Sequence, residues 1–413
     1  MQEHDDGLLV GISAPFFRHD GQLHVERQTI LGLAAWRANF GRVTAFSICH
    51  DAPAPQGWEP WPEGGPADGI ALVPLPDTYR PRILLRQRRS VARQLLQLMR
   101  THRYRTFAYG GWLGDPGEIA ASTARANGLS HGVWFDRVES QVAVAEAGGP
   151  EKLGLKARLR RAIFVFHENR AVRHAQLSLL HGASVFRHFQ PIAKNPHQVE
   201  DIHFTDADFI DEAALAEKQA AVATGPLQIL YCGRAAPMKG PEDWIAALIQ
   251  LKRRGIAFHA RWLGDGEMLA QMKAAAQEGG LDETDLTFDG FVADPQRVRD
   301  AYRAAHLLLF CHKSDESPRN LIESLHSGTP LIGYRDPYSA ELVAEKDAGI
   351  LVPRGDVGAL AQAVAALDAD RDRLSQLVGR AGRSARHLTR DAVFRHRSTI
   401  IRHQLDQQRE PRS

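Results

Sequence analysis

The chain is organised as short apolar runs alternating with longer amphipathic ones, in two series separated by a polar stretch. In the first series "GLLVGIS" reads as a strand, "HVERQTILGLAAWRANF" as a helix and "RVTAFSIC" as another strand. A Pro/Gly-rich loop, "DAPAPQGWEPWPEGGPADG", interrupts the pattern. It resumes with "IALVPL", an Arg-rich helix over 83–100, "TFAYGG", a helix near 116–127, "SHGVWF" and "QLSLLHGASVF". The second series starts at "LQILYCGR" and continues through "PEDWIAALIQLKRR", "FHARWLGDG", "LTFDGFV", "HLLLFCH", "LIGY" and "ILVP". Strands and helices in such alternation build parallel sheets with crossover helices. The spacing therefore predicts an α/β chain of two Rossmann-like, doubly wound domains joined near 196–225. In such folds ligands lie outside the carboxyl ends of the strands.

Composition narrows the function classes. The chain has 413 residues, 44% hydrophobic and 24% charged, enough for two cores of ordinary size. A net charge of +2 gives no case for nucleic-acid binding. Cys49, Cys232 and Cys311 are widely spaced and flanked by apolar residues, so they read as reduced core thiols. The start, "MQEHDDGLLVGISAPFF", has no basic segment ahead of a long apolar one, which predicts no signal peptide. No apolar stretch approaches the length of a bilayer span. These features predict a cytoplasmic protein, with peripheral contact at the inner membrane face left open.

The strand ends of the second series carry the chemistry. After "LQILYC", Gly233 ends a strand, and Arg234 and Lys239 follow on a short loop before Gly240 and Pro241 open a helix. Two cations so placed can converge on a diphosphate, the Arg as a forked donor and the Lys as a mobile point charge. Gly264 and Gly266 form a turn after the next strand, and Gly290 ends the one after that. In "CHKSDESPRNLIESLHSGTPLIGY", Ser317 suits an N-cap and Pro318 the first helical position. The amides of Arg319 and Asn320 then face the strand-end crevice as an anion seat. Glu323, about one and a half turns on, can accept hydrogen bonds from a vicinal diol such as ribose. Asp315 or Glu316, just before the cap, can bind hydroxyls of a sugar beside the phosphates.

Taken in order, "GR....KG", "LGDGE", "F.G.V" and "D.......E" followed by "GTP" resemble the motifs of retaining, nucleotide-sugar-dependent glycosyltransferases. The type is the GT-B fold, family 4 or "glycosyl transferases group 1", and the resemblance covers about 225–385. It implies that Arg234 and Lys239 stabilise the leaving diphosphate and that Glu323 holds the ribose. Asp315 stands where the family has its first glutamate, with Glu316 as the competing side chain. Phe291 and Val292, after Gly290, match the segment whose backbone meets the base. Gly233, Gly264 and residues 317–320 line the donor.

The resemblance is topological in the first half. It implies an acceptor site drawn from His19, Asp20 and Gly21 of "APFFRHDGQLHVE" and from Gly111, with Gly110 beside it, and a catalytic residue at Asp136 after "HGVWF", at about the strand end where the family often has a histidine. The implied domains are 1–200 for the acceptor, a linker over 201–225, 226–385 for the donor, and a terminal helix over 386–413 returning to the first domain. The implied activity is hexosyl transfer from a UDP- or GDP-linked sugar to a glycan or lipid-linked acceptor in envelope polysaccharide synthesis. It needs no cofactor or metal. Asp206 with Asp208, and Asp368 with Asp370, have metal-like spacing but lie away from strand ends, and they are rejected as ligands. The alternatives are an epimerase or phosphorylase of the same fold, or a non-catalytic nucleotide- or glycan-binding relative. The basic helix over 83–100 reads as packed on the sheet with solvated arginines, a membrane role being the alternative.

Overall fold

The structure, a computed structural model, describes residues 6–62, 64–110, 113–146 and 153–406. Gly111 lies outside the described residues. The chain divides into two compact units, Met1–His203 with Arg390–Ser413, and Phe204–Thr389.

The first unit holds strands β1 (Leu8–Gly11), β2 (Phe16–His19), β3 (Gln22–Glu26), β4 (Val43–Asp51), β5 (Trp58–Pro60), β6 (Ile70–Leu75), β7 (Tyr104–Ala108), β8 (Gly132–Phe135), β9 (Leu177–His181) and β10 (Pro196–Val199). Its parallel core runs β6-β4-β1-β7-β8-β9-β10. Successive side chains on a strand point to opposite faces. Leu9, Phe46 and Phe107 accordingly meet Val91, Leu95 and Met99 of the helix Pro81–Thr101 on one face. On the other, Leu8, Val10 and Tyr104 meet Trp36 and Phe40 of the helix Arg27–Phe40, with Phe394, Ile401 and Leu405 of the helix Arg390–Asp406.

Two segments differ from the pattern reading. "HVE" is not the start of a helix but part of β3, paired antiparallel with β2. The expected loop at His19, Asp20 and Gly21 is the tight turn of this hairpin, with Asp20 at φ 50° and Gly21 at φ 76°. β2 also extends the carboxyl end of β4, Phe16 opposite Cys49, and β5 inside the Pro/Gly-rich loop pairs with β3. Both pairings join residues distant in sequence, which local periodicity does not encode.

The second unit is a single parallel sheet of β11 (Leu227–Cys232), β12 (Phe258–Leu263), β13 (Leu286–Gly290), β14 (Leu307–Phe310), β15 (Leu331–Tyr334) and β16 (Gly349–Val352). Its order is β13-β12-β11-β14-β15-β16, so the direction of winding reverses between β11 and β14. β14 and β15 are buried at every position, as strands covered by helices on both faces must be. The expected linker over 201–225 is instead largely part of this unit from Phe204 on. Its helix Glu212–Ala221 packs on the helix Arg371–Gly382, and Lys218 is buried beneath it.

His326 also joins this stretch to the core. Its ring lies 4.2 Å from Phe209, and its Nε2 donates to the Ala385 carbonyl at 2.9 Å. Nδ1 is buried without a hydrogen-bond partner among the described residues, so protonation would strand a charge there. Burial accordingly lowers its pKa from 6.5 to about 4. The folded state then binds fewer protons than the unfolded one between these values, so the residue costs stability as pH falls from 6.5 toward 4. Hydrogen exchange of the 319–334 peptides at pH 5.5 and 7.5 checks this. His326→Phe should show a flatter pH dependence than the native chain, and an unchanged slope would remove His326 as its source.

Candidate functional site

The loops leaving β11, β12 and β13 are tied together by their backbones. Gly233 N–H donates to the Leu263 carbonyl and Gly264 N–H to the Gly290 carbonyl, both at 2.8 Å. Ala235 N–H donates to the Asp265 carbonyl at 2.9 Å. A Cβ on Gly264 would lie 2.0 Å from the Gly233 oxygen, so only glycine allows this approach. The Gly-Asp-Gly turn therefore shapes the loop that carries Arg234. Gly290 has open space around it, and its φ of 66° is the feature that favours glycine. Phe291 beyond it is 49% exposed.

Lys239 ends a single 3-10 turn, Pro237–Lys239, and Gly240 follows in the left-handed region. A Cβ on Gly240 would meet the Cys311 carbonyl at 2.1 Å, which presses this loop onto the end of β14. Lys313 N–H donates to the Met238 carbonyl at 2.8 Å and closes the same junction. As a result Lys239 Nζ lies 2.7 Å from Glu316 Oε1, with both side chains largely buried. Asp315 points elsewhere and pairs with Arg354, from the loop after β16. Arg234 is exposed, with no ion pair among the described residues.

The helix expected to start at Pro318 runs Arg319–His326, so Pro318 occupies the cap position and Ser317 does not cap it. Ser317 is buried instead, and the extended φ/ψ of Pro318, −75° and 126°, delays the helix by one residue. Asn320 reaches back, its Nδ2 donating to the Cys232 carbonyl at 2.7 Å and fixing the helix start against β11. Glu323 sits one turn further on, with Tyr302 Oη donating to it at 3.5 Å. Burial raises the Glu323 pKa, against an opposing pull from Arg319.

The pattern reading missed several residues here. His312 follows β14 and its Nε2 lies 3.0 Å from Tyr231 Oη; that ring stacks on Trp262 at 4.1 Å. Burial, then the nearby Lys239 and Arg354 charges, hold the His312 pKa well below its usual value, so its ring is neutral. His312 Nδ1, Ser314 Oγ and Asn320 Oδ1 are buried without hydrogen-bond partners among the described residues. Buried polar atoms without a protein partner are ones that water or a ligand can satisfy; His312 and Ser314 lie in the segment between β14 and this helix, and Asn320 in its first turn. The hint for His312 was its place directly after an apolar strand; Arg354 had only "VPR" after a distant one.

In the first unit, Gly110 N–H donates to Asp115 Oδ2 at 3.2 Å, and Tyr79 Oη donates to the same oxygen at 2.7 Å. Burial pushes the Asp115 pKa up to about 6. Asp136 accepts from Trp134 Nε1 and lies 3.7 Å from His181 Nδ1, whose Nε2 is 3.7 Å from Glu200. His181 ends β9, and Asp136 and Glu200 directly follow β8 and β10. His181 and Glu200 were not expected. His19 and Asp20 form an exposed pair at 3.5 Å on the hairpin tip, away from this group in sequence and strand position. Asp208 caps its own turn through Thr205, Asp368 pairs with Arg371, and Asp370 caps the helix Arg371–Gly382.

Residues 214–384 match the family model described as "Glycosyl transferases group 1". Among curated proteins, the chain is 28% identical over 185 residues to a putative colanic acid biosynthesis glycosyltransferase, WcaL, of Escherichia coli K12. That alignment takes in 43% of this chain and 45% of the relative. The chain spans less than half the length of the first curated relatives it matches. Among solved structures it is similar to WaaG, a glycosyltransferase involved in lipopolysaccharide biosynthesis. The TM-score is 0.65 and the identity 14%, over 95% of this chain and 99% of that one. HepE of Anabaena in complex with UDP-glucose gives a TM-score of 0.62 and 15% identity, over 97% and 98%. At these identities the likeness shows the fold, which is GT-B.

Proposed function

We infer that this chain, whose residues 214–384 form a glycosyl transferases group 1 domain in a GT-B fold, is a sugar transferase. It moves a sugar from a nucleotide diphosphate donor to a hydroxyl of a glycan or lipid-linked acceptor, with retention of anomeric configuration. The observation that carries this reading is the convergence of Lys239, Glu316 and the start of the helix Arg319–His326 at the switch point of the second sheet. HepE holds UDP-glucose, which supports a UDP-linked donor, and WcaL supports an envelope polysaccharide as product.

Arg234, Lys239 and the first amides of the helix stabilise charge developing on the leaving diphosphate. This set supplies the positive charge without a metal ion. Glu323 accepts the ribose hydroxyls. Glu316, rather than Asp315, is the acid beside the donor sugar. It is held at Lys239 in the free protein, and donor phosphate competes for that ammonium and releases the carboxylate to the sugar. In the first unit, Asp136 with His181 and Glu200 offers the acceptor hydroxyl its polar contacts.

The test is nucleotide release from UDP-, GDP- and ADP-sugars, with EDTA, in the presence and absence of envelope acceptors. Release should need one donor class and an acceptor, and NMR of the product should show the donor's anomeric configuration. Glu316→Gln should lower kcat/KM about 10²-fold, and Asp315→Asn only about twofold. Tight nucleotide binding with no turnover would sink the transferase reading, and the reverse ranking of the two variants would return the role to Asp315.

A further inference from the structure

The first unit carries a second chemical surface that sugar transfer does not use. Its helix Leu155–His174 buries Phe164, Glu168, Ala171 and Val172. The opposite side presents Leu155, Leu159, Ala162 and Phe166, spaced four, three and four residues apart, which is one helical stripe. Leu155 is 86% exposed, Leu159 64% and Phe166 59%. Large apolar side chains so exposed and so aligned mark a contact surface.

The surroundings are cationic. The same helix holds Lys156, Arg158, Arg160, Arg161, Arg170 and Arg173. Its single acid, Glu168, turns inward to accept from the Ser140 amide at 3.1 Å. The helix Pro81–Thr101 has six arginines and no acid, and its Leu85 is 86% exposed. A concavity between the two helices is lined by Arg88, Arg93, Arg125, Arg170 and Phe166. Its one carboxylate, Glu118, is already paired with Arg88 at 3.2 Å.

We propose that this face, the Leu155–Leu159–Phe166 stripe with the arginine-lined concavity beside it, docks on an anionic phospholipid bilayer. The stripe enters the headgroup–acyl boundary, and the surrounding arginines and Lys156 meet lipid phosphates. Long basic side chains suit this because their stems lie along apolar surface while their charges stay at headgroup level. Apolar insertion and a basic patch together are the two signals that stable peripheral binding takes. A second copy of the same face would oppose like charges, which favours the bilayer as occupant. No described helix is long and apolar enough to cross a membrane, so the contact is interfacial. In the sequence, the Arg-rich helix is the segment whose pattern suits such a contact. The structure packs that helix's Leu84, Val91, Leu95 and Met99 inward and places the larger apolar exposure on Leu155–His174.

The test is co-sedimentation of the full chain with phosphatidylcholine vesicles, with and without phosphatidylglycerol, over a salt series. Binding should require phosphatidylglycerol and weaken with salt. Leu159→Asp with Phe166→Ser should lower the bound fraction about tenfold, and Arg160→Glu with Arg161→Glu should do the same. Both variants alter exposed side chains, and circular dichroism checks the fold. Nucleotide release with a soluble acceptor should be unchanged, which separates loss of docking from failure of the transferase reading. Equal binding to neutral vesicles, or full binding by either folded variant, would overturn the proposal. So would a dimer that the variants convert to monomer without any vesicle binding, since that result assigns the face to a second copy.

Discussion

Replacing Lys239 by alanine is expected to lower the turnover of sugar transfer by about 10²–10³-fold. A preorganised cation is worth most where charge develops in a site poor in water. Lys239 meets that condition: its side chain is 13% exposed, and Gly240 and the Lys313–Met238 hydrogen bond fix its loop. The loss should appear in kcat at saturating donor, with a smaller change in donor affinity measured by calorimetry. Lys239→Ala also leaves Glu316 without its ion-pair partner, so the double variant with Glu316→Gln is the control. It should recover any lost stability but none of the lost turnover. Turnover within twofold of the native rate would remove Lys239 from the phosphate site.

The largest effect on stability is expected at Lys218. Its Nζ donates to the Tyr302 carbonyl at 3.0 Å, the Ser327 carbonyl at 2.9 Å and Thr329 Oγ1 at 2.6 Å. The side chain thereby joins the helix Glu212–Ala221 to the segments before β14 and β15. Lys218→Ala leaves buried acceptors unsatisfied and opens a cavity, together about 3 kcal/mol. Hydrogen exchange in peptides over 204–225 and 319–334 should speed about 10²-fold. Lys218→Met keeps most of the volume and should lose less. Burial also holds the Lys218 pKa well below 10.5. The folded state then binds fewer protons than the unfolded one between the depressed value and 10.5, so stability from this site rises with pH through that window. The methionine variant should lack that rise. Exchange rates unchanged in both variants would show that the lysine does not hold the unit together.

Much of the architecture was legible because both sheets have parallel cores. Runs such as "LLLF" and "LIGY" are apolar at successive positions because helices cover both faces. The glycines after β11 and β12 were legible as turns, although only coordinates show that Gly264 lets two backbones approach. The hairpin at Phe16–Glu26 was hidden because Phe16 pairs with Cys49, and "HVE" runs into a helix without a break in polarity. His181 and Glu200 escaped notice for a similar reason. Each stands at a strand end unremarkably, and only the neighbouring order of β8, β9 and β10 groups them with Asp136.

The sequence by itself determined the strands of the second sheet, which loops leave their carboxyl ends, and that cations and carboxylates gather there; the hairpin and β5 of the first unit it did not. It left Asp315 and Glu316 as equal candidates one residue apart. The tertiary structure separated them. Neighbouring side chains on a non-helical backbone diverge, so Asp315 meets Arg354 while Glu316 meets Lys239. Those partners lie 39 and 77 residues away in the chain. Which cation each of two adjacent acids meets is therefore decided by the loops that the fold brings beside them, which no local pattern contains.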